Sequence, residues 1–368
     1  MEKTAWRSLG RQSAAAVQAI RCQSPNVRFI GIAGDACKAE GVELFADIRD
    51  LAVIGFAEVV KNLPRIKRVF DLVLQKAREE RPDAALLVDY PGFNLRLAVE
   101  LKRLGIKVIY YISPQVWAWK ESRVEAVKRS VDRMMVLFPF EKDLYARHGY
   151  AADIVGHPLV DEVHSDTPRD AFLAQSGLDT QKPVIALLPG SRAKEISRHL
   201  PVMLDAARLI QQQRPETQFI LLKAKSLAQG IFTPWMPRAP EGLKISEDYY
   251  NALGACDSGI VCSGTATLET ALMGKPMVVV YKTSWLTWFL ARLLVRIPCI
   301  ALVNIVAGKK IVEELLQNNA SPRQIAWETL KTLDPSDTLR RELSRVKDLL
   351  GAPGASRRAA LVVCEELS

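Results

Sequence analysis

The chain has 368 residues, 49% hydrophobic and 25% charged, with 50 lysines and arginines against 41 aspartates and glutamates. That length favours two domains, each able to bury its own core, and the composition excludes a disordered or fibrous chain. A net charge of +9 favours an anionic partner: nucleic acid, a phosphorylated metabolite or an anionic membrane surface. Six cysteines (22, 37, 256, 262, 299 and 364) form no C-x-x-C pair, and four histidines (148, 157, 164 and 199) show no H-E-x-x-H or H-x-H spacing. A disulfide scaffold, a zinc site or a histidine metal centre is therefore not expected. Residues 1–10 are polar and charged, unlike a secretory signal. The most apolar stretch, 285–306, is interrupted by Arg292, Arg296, Pro298 and Asn304, whereas a spanning helix needs ~20 apolar residues in succession.

Short runs rich in Val, Ile and Leu alternate with longer amphipathic segments, the signature of an α/β protein with parallel sheets. The first half predicts strands at 27–32, 84–89, 107–112, 133–137 and 152–155, with helices at 56–78, 93–104, 123–131 and 141–147. A polar linker at 165–169 precedes a second series, with strands at 184–188, 218–222, 258–262 and 277–281 and helices centred on 203–213, 266–273 and 286–295. Residues 308–368 read as helix only, in pieces divided at Ser321-Pro322, Asp334-Pro335 and Gly351-Ala352-Pro353. The expectation is an α/β fold of two facing, doubly wound Rossmann-like domains, 1–165 and 166–368, the second ending in a helical tail.

Open α/β sheets bind ligands where loops leave the carboxyl ends of strands. At the end of 84–88 stands Asp89, followed by Tyr90-Pro91-Gly92-Phe93-Asn94. An acid there can take a proton from a substrate hydroxyl, or it can simply cap the following helix or open a turn. Ser113-Pro114-Gln115-Val116-Trp117-Ala118-Trp119 follows the next strand. Two tryptophans two residues apart beside a proline suit a rigid aromatic wall for a sugar or acyl group, with core packing as the alternative. Phe138-Pro139-Phe140-Glu141 and Gly156-His157-Pro158-Leu159 close the first half; His157 is a ligand contact or a structural histidine.

In the second half, 184–188 ends in Pro189-Gly190-Ser191-Arg192. Such a turn lets backbone N–H groups approach an anion and offers a guanidinium to phosphate oxygens; otherwise it is an ordinary turn with Arg192 solvated. After 258–262 comes Ser263-Gly264-Thr265-Ala266-Thr267-Leu268-Glu269. Its amides suit a phosphate and Glu269 suits sugar hydroxyls, or Ser263 caps the helix and Glu269 is a first-turn acid. Together the two junctions suggest a nucleotide-diphosphate site without a metal. No Walker motif or complete G-x-G-x-x-G is present, the nearest string being Gly31-Ile32-Ala33-Gly34, which argues against NAD or P-loop chemistry.

These strings, in this order, resemble lipid-A-disaccharide synthase, a family of GT-B-type glycosyltransferases of the Gram-negative outer-membrane pathway. The likeness runs through 89–94, 113–119, 138–141, 156–159, 188–192 and 263–269, then Asn304, Ala307-Gly308 and 313–317, covering roughly residues 25–320. It implies transfer of 2,3-diacylglucosamine from its UDP conjugate to 2,3-diacylglucosamine 1-phosphate, with inversion and no cofactor or metal. By that resemblance Asp89 is the base and Arg192 stabilises leaving UDP. Gly190, Ser191, Arg192, Ser263, Gly264, Thr265, Glu269 and Asn304 bind UDP, while Asn94, Ser113, Trp117, Trp119 and His157 contact acceptor or acyl chains. It also implies a cytoplasmic protein peripheral on the inner membrane, and it allows a homodimer.

Two departures stand out. The family normally opens with a strand, a Gly-Glu-Ala-Ser-Gly-Asp-type loop and a helix. Residues 8–20 match the helix, but 1–7 supply neither strand nor loop, which motivates a second reading, a non-catalytic homologue that binds UDP-sugar or lipid. Gly92 stands where many relatives carry a second acid. A peptidoglycan glycosyltransferase or a UDP-N-acetylglucosamine epimerase fits the Ser-Pro-x-Val-Trp-Ala-Trp string poorly, and no nucleic-acid motif accompanies the charge. For membrane contact the candidates are 51–81, with Val53, Ile54, Phe56, Val59, Val60 and Leu63 beside Lys61, Arg65, Lys67 and Arg68, and 285–296, with two tryptophans, Phe289 and two arginines. Either suits an interfacial helix, or packs on its own sheet.

Overall fold

The computed structural model describes residues 3–48, 62–119, 121–285, 288 and 298–367. The chain divides into two compact units, one formed by Glu2–Pro158 with Ala352–Ser368, the other by Leu159–Gly351.

The first unit holds strands β1 (Ile30–Ala33), β2 (Glu43–Asp47), β3 (Ala84–Val88), β4 (Lys107–Tyr111), β5 (Arg133–Val136) and β6 (Ala152–Ile154). All pair in parallel, in two sheets: β1 with β2, and β3-β4-β5-β6. From Val108 to Tyr111 every β4 side chain is buried, as expected of a parallel strand covered on both faces. β3 is half-buried at four of its five positions, like an edge strand. Helices Leu63–Glu80 and Pro91–Arg103 bring Val69, Leu74, Leu97, Ala98 and Leu101 onto the core around Val108, Tyr110 and Met134.

The second unit is one parallel sheet of β7 (Val184–Leu188), β8 (Gln218–Leu222), β9 (Lys244–Ser246), β10 (Ser258–Cys262), β11 (Met277–Tyr281) and β12 (Glu313–Leu316), in the order β12-β11-β10-β7-β8-β9. The chain runs outward from β7 to β9, then returns to β10 and runs outward the other way. The direction therefore switches between neighbours β7 and β10, whose register pairs Leu188 with Val261. Every residue of both strands is buried.

Three expectations are corrected. The tail is not helix alone, because Glu313–Leu316 pairs with β11. Glu-Glu-Leu-Leu reads as helix by composition, yet Glu314 accepts the N–H groups of Ile300 and Ala301 and so fixes the segment as an edge strand. Nor does the whole tail belong with the second domain: helix Ala355–Leu367 lies in the first unit. There Arg358 donates to the Val155 carbonyl, and Arg133 pairs with Asp153, Glu365 and Glu366. The division between units accordingly falls after Pro158 rather than at 165. Finally, the helix centred on 203–213 in sequence extends back to Ala193. The N–H of Arg192 donates to the Glu195 carboxylate three residues on, which starts the helix upstream of Pro201.

Of the two membrane candidates, 51–61, 286–287 and 289–296 lie outside the described residues. In helix Leu63–Glu80, Val69, Leu74 and Ala77 face the core while Leu63, Arg65, Lys67 and Arg68 are exposed. Trp285 is exposed as well. No described helix is long and apolar enough to cross a membrane.

Candidate functional site

The reversal of strand order between β7 and β10 is the topological switch at which open α/β sheets bind ligands, and both predicted anion turns leave the sheet there. After β7, Gly190 adopts φ +113°, and a Cβ on it would come within 2.5 Å of Glu195 Oε2. Only glycine meets both conditions. Glu195 Oε2 accepts the N–H groups of Ser191 (2.9 Å) and Arg192 (3.2 Å), and Oε1 accepts Nη1 of Arg192 at 2.7 Å. This changes the expectation for Gly190 and Ser191. The turn's amides are engaged by an internal carboxylate, so its offer to an anion is the Arg192 guanidinium, which among the described residues uses one of its five N–H donors on Glu195.

After β10 the turn is open. Gly264 adopts φ +146°, and a Cβ there would meet nothing within 4 Å. Ser263 donates its N–H to the Val280 carbonyl and its Oγ to the Ile300 carbonyl. The N–H groups of Gly264, Thr265 and Ala266 have no acceptor within the chain among the described residues, and Thr265 is exposed. Three successive free amides form a concavity for an anionic oxygen. One turn further, Glu269 accepts the phenols of Tyr249 (3.1 Å) and Tyr250 (3.3 Å), one on each oxygen. The carboxylate is thereby oriented.

Asn304 is corrected. It is 1% exposed, its Nδ2 donates to the Val312 carbonyl and Glu314, and its Oδ1 accepts the N–H groups of Ile311 and Val312. All four capacities of the amide are filled, so it shapes the loop before β12 and has none left for a nucleoside.

In the first unit Asp89 follows β3 in a left-handed conformation (φ +46°), as does Tyr90 (φ +47°). Consecutive non-glycine residues there carry strain that surrounding bonds must hold. The Asp89 N–H donates to the Tyr111 carbonyl, and its own carbonyl accepts the Tyr110 phenol and Nδ2 of Asn94 (2.7 Å). Burial pushes the Asp89 carboxyl above its ordinary range, opposed by the Tyr90 N–H, so it holds a proton more readily than a surface aspartate. Asn94 is thus the support of Asp89, with its Nδ2 also donating to the Val88 carbonyl.

The remaining predicted contacts form a largely closed cluster. Ser113 is buried and its Oγ meets the Tyr145 phenol at 3.0 Å. Trp117 donates Nε1 to Glu141 and packs edge-on against Phe140, which stacks on Phe138, itself 5.5 Å from the His157 ring. His157 is 6% exposed and burial holds it down to about 4, so it is neutral at pH 7. Ser113 and His157 thus support the loops from within instead of facing a ligand; half-buried Trp117 keeps part of its surface outward. Helix Val116–Trp119 ends at Trp119. Sequence reasoning gave no role to Glu195, Tyr249, Tyr250 or Glu141. For the first, an acid in the opening turn of a helix was the available signal.

The fold places the chain in a recognised class. The solved structure of the glycotransferase of kitacinnamycin covers 97% of this chain and 96% of its own, at 14% identity and a TM-score of 0.63. UDP-GlcNAc 2-epimerase from Neisseria meningitidis, bound to UDP-GlcNAc, covers 98% and 97%, at 10% identity and a TM-score of 0.60. Both likenesses are of fold, the GT-B glycosyltransferase type. Sequence narrows the class further: the family model for lipid-A-disaccharide synthetase matches residues 7–358. Lipid-A-disaccharide synthase of Trichlorobacter lovleyi is 42% identical over 354 residues, 95% of this chain and 92% of its own length. The chain belongs to the lipid-A-disaccharide synthetase family.

Proposed function

We propose that the chain transfers 2,3-diacylglucosamine from UDP to the 6-hydroxyl of 2,3-diacylglucosamine 1-phosphate, giving the β(1→6) tetraacyl disaccharide 1-phosphate and UDP. The observation that carries the nucleotide half is the pairing of Arg192 with the three free amides of Gly264–Ala266 on the adjacent strand ends β7 and β10. These donors take the charge that builds on the diphosphate as the glycosidic C–O bond breaks, and oriented Glu269 takes ribose hydroxyls. Asp89 receives the acceptor hydroxyl's proton as that oxygen attacks C1 from the opposite face, inverting the centre. The bonding pair leaves with UDP.

Because the donor set is cationic and amide-based, turnover is expected to survive EDTA. Both substrates carry acyl chains, so the protein works at a membrane surface, on the cytoplasmic face of the inner membrane in this reading, with exposed Trp285 beside one contact segment. No observation favours the non-catalytic alternative. The test is UDP release with both acylated substrates. Release by the intact chain and its loss in Asp89→Asn, with UDP affinity kept, supports the reading; a folded chain that binds UDP but never releases it from UDP-sugar favours the alternative.

A further inference from the structure

Between the two turns at the switch point lies a buried imidazole that the reaction itself does not use. His199 sits one helical turn beyond Glu195 and is 1% exposed. Its Nε2 accepts the backbone N–H of Lys282 at 2.9 Å. A nitrogen that accepts carries no proton, so in the neutral ring the proton is on Nδ1, which donates to the Glu195 carbonyl at 2.9 Å. The thiol of Cys262 lies 3.4 Å from the same Nδ1.

One ring therefore bonds to its own helix at Glu195 and to Lys282 after β11, and touches Cys262 at the end of β10. Glu195 clasps the turn after β7, Cys262 leads into the turn after β10, and Lys282 follows β11. Lys282 is anchored in turn, with Nζ donating to the carbonyls of Gln317 and Ala320. The charges of Glu195 and Arg192 both reach the Cys262 thiol, so the two turns lie within electrostatic range of each other.

We propose that His199 is a positioning residue for the nucleotide, holding the Glu195–Arg192 clasp in register with the Ser263–Thr265 turn so that guanidinium and free amides meet one diphosphate. The proposal rests on the UDP reading above. A side chain that merely filled space would be replaced by phenylalanine, which has similar bulk and neither bond. Registration needs both bonds, one to the helix that carries Glu195 and one to Lys282 after β11, the strand paired with β10. It also needs the ring neutral, because protonated Nε2 cannot accept from Lys282. The charged and titratable groups that bear on the ring are Glu195 and Arg198 on its own helix, Arg192 before it, Cys262 at the end of β10, Tyr281 at the end of β11, whose ring lies 6.1 Å away, and Lys282 after it.

The experiment is calorimetric binding of UDP to the full chain and to His199→Phe, His199→Gln and His199→Asn, with thermal melts as the folding control. Glutamine can present an oxygen to the Lys282 N–H, and asparagine can donate to the Glu195 carbonyl. His199→Phe is expected to melt cooperatively and bind UDP roughly tenfold more weakly, the effect of a lost buried bond. The KM for UDP-sugar should rise while that for the acceptor is unchanged, and His199→Gln should recover part of the loss. Lowering the pH through the depressed His199 titration should weaken UDP binding more in the intact chain than in His199→Gln. A folded His199→Phe with undiminished UDP affinity overturns the proposal alone. If that variant does not fold, glutamine and asparagine variants that both match the intact chain overturn it. An intact chain that binds no UDP overturns the nucleotide reading, and this proposal with it.

Discussion

In the second unit six parallel strands make one sheet, and the turns assigned to the diphosphate leave its two central strands, both buried throughout. In the first unit the strands fall into a pair and a quartet, and Asp89 leaves β3, the half-buried outer strand of the quartet. The units therefore fix their functional groups by different means. A turn rising from a packed central sheet inherits its position from the core. A residue leaving an edge strand must be held locally, and two successive left-handed residues cost on the order of 1–3 kcal/mol each. At Asp89 that holding falls to the Tyr110 phenol and the Asn94 amide, both on the Asp89 carbonyl.

Substitutions can separate the two modes. The largest effect is expected at Asp89: Asp89→Ala should lower turnover by roughly 10²- to 10⁴-fold, the usual contribution of a positioned base, with UDP affinity within twofold. Because burial raises the Asp89 pKa, the acid limb of kcat/KM should lie above the ordinary aspartate value, near 4, with activity lost as pH falls through it. A pH–rate profile checks the sign. The second unit should answer through affinity instead. Arg192→Ala should weaken UDP binding by roughly ten- to a hundredfold, the range for a charged hydrogen bond, and Gly190→Ala should do the same by displacing Glu195. Calorimetry decides, and unchanged affinity in both would break the assignment.

A smaller effect should separate support from chemistry within the first unit. Asn94→Ala removes one of two bonds to the strained carbonyl and should lower kcat about tenfold, leaving UDP affinity unchanged. A further effect is one of stability alone. Glu141 is 3% exposed and burial raises it from 4.5 to about 7, against the N–H groups of Leu137 and Phe138 and the Trp117 indole. The folded state then keeps a proton that the unfolded state releases, so stability is greatest below pH 4.5 and falls as pH rises towards 7. The fall is about 3 kcal/mol at most. Denaturant melts should show this decline in the intact chain and its absence in Glu141→Gln.

Much of this was legible in the chain itself. β7, β8, β10 and β11 were predicted with the bounds they have, since a strand buried on both faces is a continuous apolar run. β2, β9 and β12 were not, because Glu-Leu-Phe-Ala-Asp, Lys-Ile-Ser and Glu-Glu-Leu-Leu are outer strands whose polar residues hide the pattern. At the site, both turns stood out as glycine-containing junctions between a strand and a helix, but the Glu195 carboxylate that takes the amides of the first did not. Asn304 was misread, because a carboxamide looks the same in sequence whether it faces a ligand or its own loop. The contacts that orient the site, Tyr249 and Tyr250 on Glu269 and His199 on Lys282, join residues 19 to 83 apart, and only the fold brings them together. The same holds for the last helix, whose return to the first unit rests on ion pairs such as Arg133 with Glu366, 233 residues away.

The division of labour between the units is tested most directly by measuring UDP release and UDP affinity together, on the intact chain, Asp89→Asn and Arg192→Ala, with both acylated substrates. The account predicts that Asp89→Asn loses release and keeps affinity, while Arg192→Ala loses affinity. Undiminished release by Asp89→Asn, or undiminished UDP binding by Arg192→Ala, would contradict it.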